Sequence, residues 1–128
     1  MKRLSIVAVI AVLAASPALT DGAITLPDIP SMTRDETADL LSALVVASVA
    51  AQNCEGFAIS EAEQALLSDS AGILAARFEL DPPQYNALFL HPAYSTMTQE
   101  GACEQEGPRI SPLIEQLIGW GGSVTPGE

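Results

Sequence analysis

Residues 33–54 read Thr33-Arg34-Asp35-Glu36-Thr37-Ala38-Asp39-Leu40-Leu41-Ser42-Ala43-Leu44-Val45-Val46-Ala47-Ser48-Val49-Ala50-Ala51-Gln52-Asn53-Cys54. The opening Thr33 to Glu36 has the T-x-x-E form of a capping box, in which each side chain accepts a bond from the other residue's backbone N–H. Asp35 and Glu36 also suit the positive end of a helix. From Ala38 to Ala51 only Asp39, Ser42 and Ser48 are polar. Leu40, Leu44, Ala47 and Ala51 line one face, and Leu41 and Val45 widen it. A helix this apolar on most sides is enclosed by neighbours. Its apolar run is well short of the roughly 20 residues a membrane span needs. The small side chains Ala43, Ala47, Ala50 and Ala51 admit close approach by another helix. The alternative is insertion into a partner or a membrane, which makes Leu41, Val45 and the distant Trp120 candidate interface residues.

Working outward, Gly56 is a suitable stop for this helix. Ser60-Glu61-Ala62-Glu63 is a second capping box. Leu67, Ala71, Leu74 and Phe78 then recur with helical spacing, broadened by Leu66 and Ile73, and predict a helix to about Leu80. Asp81-Pro82-Pro83-Gln84 reads as an N-cap followed by proline at the first helical position. That third helix carries Tyr85, Leu88, Phe89 and Leu90 and is expected to stop near His91-Pro92, with a short further turn through Met97 to Glu100. Gly101 and Gly107 are expected to hold Cys103 in a loop. Ser111-Pro112 reads as the start of a last helix bearing Leu113, Ile114, Leu117, Ile118 and Trp120, ended by Gly121-Gly122. No stretch alternates as a strand does. The expected fold is all-α, four to five short helices in a compact bundle stapled by one disulfide. The domain occupies residues 33–120, with an extended leader at 19–32 and a flexible tail at 121–128.

The first residues read differently. Met1-Lys2-Arg3 is basic, Leu4 to Ala15 is apolar apart from Ser5, and Ser16-Pro17-Ala18 supplies small residues for cleavage. This is the layout of a secretory signal peptide spanning residues 1–18. The whole chain of 128 residues has a formal charge of −11. Cleavage after Ala18 removes Lys2 and Arg3 and no acid, leaving three arginines, no lysine and all sixteen acids, a formal −13. Such a chain lacks the basic face that nucleic acid requires and has little attraction for anionic lipid. No stable membrane insertion is expected once the signal is removed. Export to the periplasm or the medium permits disulfides, and Cys54 and Cys103 are the only two cysteines. Closing a loop that long is worth about 4 kcal/mol on chain-entropy arithmetic.

Chemistry is sparse. One histidine and two paired cysteines leave no metal-ligand set, and no cofactor is expected. Glu55, Glu100, Glu104 and Glu106 form a candidate acid-sensitive cluster, because the disulfide draws Glu55 towards Glu104, and carboxylates held together raise one another's pKa. His91 is the one candidate general base, the basis of a small-hydrolase alternative, but no G-x-S-x-G elbow or other nucleophile motif accompanies it. The main expectation is therefore a non-catalytic exported protein acting through contact with an unknown protein partner or with itself.

Cys54-Glu55-Gly56-Phe57 resembles the Cys-Glu-x-Phe opening of the stapled region in the small acid-stress chaperones of the enteric periplasm, and the long cysteine separation is similar. The lysine-free mature chain departs from the lysine-rich pattern of that family. The early Cys-x-Gly-aromatic and late Cys also resemble small uncharacterised exported proteins of alphaproteobacteria. The chaperone resemblance implies an acid-activated role. Below about pH 4 the carboxylates protonate, leaving the arginines, His91 and the amino terminus as the charged groups. Loss of native carboxylate contacts then loosens the fold and exposes its apolar helices. The expected outcome is dye binding and suppression of client aggregation on acidification; a fold unchanged to about pH 2 without either effect rules that role out.

Overall fold

The computed structural model describes residues 24–124. The expected signal peptide and the last four residues of the tail lie outside them. Among the described residues the architecture is all-α, closed by the Cys54–Cys103 disulfide, whose Cα atoms are 5.5 Å apart. The helices are α1 (Arg34–Asn53), α2 (Glu61–Arg77), α3 (Pro82–Tyr85), a π-helical turn (Asn86–Leu90), α4 (His91–Met97) and α5 (Ala102–Gly119). Since α3, the π turn and α4 follow without a break, the described residues form four helical bodies.

Three of the four expected N-caps are present; the fourth, Ser111, lies inside a helix. Thr33, Ser60 and Asp81 each accept from the backbone N–H three residues on, and Glu36, Glu63 and Gln84 return the bond to the cap N–H. Each box satisfies two of the donors that a helix start leaves orphaned.

At the centre lies α1, packed against α2, the π turn, α4 and α5. Leu41, Leu44 and Ala50 are fully buried, and Val45, Ala47 and Val49 nearly so. Across the α1–α2 seam, Gln64 Nε2 donates to the Ser48 carbonyl at 3.2 Å and also contacts the Ser48 hydroxyl. From α2 come Leu66, Leu67, Ala71 and Leu74, and from α5 Ile110, Ile114 and Leu117. The Ser70 hydroxyl is enclosed in this core without a hydrogen-bond partner.

Three expected boundaries shift. Helix α2 ends at Arg77 rather than near Leu80, because Glu79 takes a left-handed φ of 56°. The Leu80 N–H then reaches back to the Ala75 carbonyl and the Glu79 N–H to that of Ala76, the paired bonds of a Schellman motif. The expected stop at His91-Pro92 does not occur, since helix continues to Met97. Proline has no N–H and its ring crowds the carbonyl four residues back. The wider π turn, in which the His91 N–H bonds to Asn86 five residues back, changes the register just ahead of the ring. Finally, α5 begins at Ala102, not at Ser111, so Cys103 sits in its first turn rather than in a loop. Pro108 and Pro112 are interior to α5 and exposed. One turn apart, they share a solvent-facing side, where water can satisfy the carbonyls they leave unbonded. The opposite side buries Gly107, Ile110, Ile114 and Leu117, a 3-4-3 spacing that runs straight past Pro112.

The ends of the chain are tied to each other. Thr25 and Ser123 exchange backbone bonds of 3.0 and 2.9 Å, and the Asp28 N–H donates to the Trp120 carbonyl. Ile29 is buried in the core, and the Arg77 guanidinium donates to the carbonyls of Ile29 and Pro30. Residues 24–32, the described part of the expected leader, contain no helix. Residues 121–124 are held in place, unlike the flexible tail expected there, because Gly122 closes a Schellman motif on Leu117 around Gly121.

The two Schellman motifs differ at one residue. Gly121 takes the left-handed position after α5 at no steric cost, whereas Glu79 takes it after α2. Replacing an L-residue by glycine at such a position relieves the Cβ clash. Relief of a left-handed penalty of roughly 1–2 kcal/mol, set against an entropic cost of roughly 0.5–1 kcal/mol for glycine, makes Glu79→Gly stabilising on balance in urea denaturation, and a loss of stability would show that Glu79 makes a compensating contact.

Candidate functional site

Two regions of the surface have a distinct construction. The first is the disulfide end. Cys54 caps α1 in extended backbone and is 3% exposed, while Cys103 lies in the first turn of α5. Close by in sequence, Phe57 packs its ring against Gly107 of α5. A Cβ on Gly107 would come within 2.5 Å of the Phe57 ring. The aromatic ring thus occupies the space that any larger residue on that turn would need.

Of the acid cluster, Glu55 and Glu104 flank the two cysteines and Glu100 precedes α5; all three are exposed. Glu104 lies in the first turn of α5, near its positive end. Glu106 is largely buried, and its carboxylate is 3.6 Å from the Arg109 guanidinium, one turn along. The structure thus separates Glu106 from the other three. Among the described residues no group of three His, Cys, Asp or Glu is placed to hold a metal ion.

The second region is the α3–π–α4 run on the outside of α1. Residues 82–99 contain no Asp, Glu, Lys or Arg, although the chain has sixteen acids. Leu88 is 58% exposed and Tyr94 49%. The π turn that carries Leu88 and Phe89 stands over the start of α1 and the end of α2. There Ala38, Phe78, Leu80, Leu88 and Phe89 line a hollow of about 250 Å³ with Arg34 and Asp35 at its rim. The Arg34 guanidinium lies 4.9 Å from the centre of the Phe78 ring, a cation–π geometry. Tyr85 and Phe89 pack with tilted rings 6.3 Å apart, and burial raises the Tyr85 pKa above its usual value.

The sequence-based interface candidates fall elsewhere. Leu41 and Val45 are 0% and 2% exposed, so this fold spends them on its own core and leaves neither on the surface. Trp120 is half-buried against that core. Leu88 has no special mark in the hydrophobic pattern of its helix. What singles it out is the charge-free stretch around it, a signal present in the sequence but meaningful only once the stretch is known to lie outside.

His91 is exposed at the junction of the π turn and α4. It lines neither the hollow beside Leu88 nor the second one, of about 240 Å³, between α1, α4 and α5, where Asp39, Thr96, Glu106 and Arg109 meet. No described helix is long and apolar enough to cross a membrane. The disulfide is consistent with an oxidising compartment. Comparison with protein-family models, with curated proteins and with solved structures finds no match to this chain.

The Phe57–Gly107 contact can be probed directly. Gly107→Ala should cost about 1–3 kcal/mol of stability by overpacking, and Phe57→Leu in the same chain should restore part of it. A neutral Gly107→Ala in thermal denaturation would show that the ring moves aside freely.

Proposed function

We propose that the protein is an exported, non-catalytic helical module that acts by contact with another protein chain. The observation that carries this reading is the charge-free surface run 82–99 with Leu88 and Tyr94 outermost. An acidic chain in water has every reason to place charge on its surface. Depletion of charge around exposed aliphatic and aromatic side chains is the composition of the centre of an interface. The π turn beneath Leu88 supports the same reading, because such turns are concentrated at functional positions. Export rests on the basic-apolar-small order of residues 1–18, and the disulfide supports it.

The test is a photo-crosslinking residue in place of Leu88, installed in the protein in its native cell, with the same residue in place of the exposed Gln52 as control. The reading expects a mature chain starting at Leu19 in the exported fraction and a discrete covalent adduct with a protein from position 88 alone. Recovery of the uncleaved chain from the cytoplasm, or equal adducts from both positions, overturns it.

A further inference from the structure

The hollow beside Leu88 has one feature that narrows the choice of partner. A protruding apolar side chain and an apolar recess lie on the same patch: Leu88, 58% exposed, is itself part of the wall of the 250 Å³ hollow. We propose that this patch docks a second copy of the chain about a two-fold axis, with Leu88 of each copy entering the hollow of the other. The proposal rests on the protein-contact reading and names its partner.

Three observations support a second copy over a different protein. In a two-fold contact each patch meets itself, so the knob and the recess must be neighbours on one surface, as they are here. Such a contact also brings together two chains that carry the same surplus of acid, so it is favoured where the surface holds little net charge. The mature chain has three arginines against sixteen acids, and two copies repel over most of their surfaces. The run 82–99 is the longest uncharged stretch of the chain and faces outward, whereas residues 40–54, also uncharged, are mostly interior to the bundle. Last, the two charges at the rim of the hollow are adjacent and opposite, Arg34 and Asp35. Two-fold pairing can set Arg34 of one copy against Asp35 of the other, twice. A basic partner, by contrast, would gain nothing from a neutral patch and would be drawn to the acidic surfaces elsewhere.

The electrostatics give the proposal a distinctive signature. Net repulsion between the copies opposes the contact and is screened by salt, so the dimer should tighten as ionic strength rises, whereas a complex held by opposite charges would weaken. The experiment is sedimentation velocity on the mature chain, from residue 19 onward, over a wide range of concentration at low and high salt. The expected result is a reversible monomer–dimer equilibrium strengthened by salt. Leu88→Asp should weaken it about thirtyfold or more, as for a central interface anchor, with unchanged helical circular dichroism. Ile118→Asp, at a side chain 43% exposed on α5, should leave it intact. A wild-type chain that stays monomeric throughout, or a Leu88→Asp chain that still dimerises, overturns the proposal. The position-88 crosslink separates this failure from that of the broader reading. An adduct of twice the chain mass supports the second copy. An adduct with a different protein overturns the second copy and keeps the contact reading, and no specific adduct overturns both.

Discussion

The structure depends on enclosing α1. A helix with apolar side chains on nearly every side cannot leave one face in water, so the rest of the chain must supply neighbours around it. Truncating one of its buried leucines is the kind of change that costs about 2–5 kcal/mol, a large fraction of the stability of a domain this size. Every other element can be read by what it covers. Helix α2 and α5 lay their apolar stripes against α1, the π turn and α4 cover another side, and the leader places Ile29 into the remaining gap. The disulfide joins the end of α1 to the start of α5, so the two elements that share much of the core are also held together in the unfolded chain.

Three helix starts were legible because a capping box is local chemistry, whereas α5, whose N-cap Gly101 has no side chain to signal it, was placed at Ser111 instead of Ala102. Thr33, Ser60 and Asp81 bond to residues three positions away, and nothing distant is needed to form or to recognise the motif. Helix ends and interruptions were not, because they answer to packing. Pro92 read locally as a stop and Pro112 as a start, and Pro108 lies between Gly107 and Arg109 in what read as a loop. The chain passes all three as helix, by widening a turn ahead of one and by turning the other two towards solvent. In α5 the buried spacing of Gly107, Ile110, Ile114 and Leu117 outweighs the local preference of the prolines, since the side buried against α1 loses nothing to them. The left-handed Glu79 belongs to the same class: no local rule places glutamate there, but the Schellman bonds and the turn into α3 require that conformation of whichever residue occupies it.

The candidate contact region shows the same division. Hydrophobicity pointed to Leu41 and Val45, which are the interior of the domain. The exposed Leu88 belongs to a run whose distinguishing property is the lack of charge, and a lack of charge is equally a property of buried helices such as α1. Only exposure tells the two apart. The acidic cluster is divided for a related reason: adjacency to the cysteines brings Glu55 and Glu104 to one end of the molecule, whereas helical phase turns Glu106 towards Arg109.

What the chain alone settles here is whatever follows from composition and short-range bonding: an all-helical domain, its three capped starts, the surplus of acid, and the pairing of its only two cysteines. What tertiary structure decides is how far each of two uncharged stretches is covered. Residues 40–54 and 82–99 are alike in lacking charge. The first has small residues that let helices close around it on most sides, and the second is left with Leu88 and Tyr94 in water because α1 has only so much surface to share. That competition for a finite core, a property of the whole chain, is what converts an ordinary apolar helix into a surface available for contact.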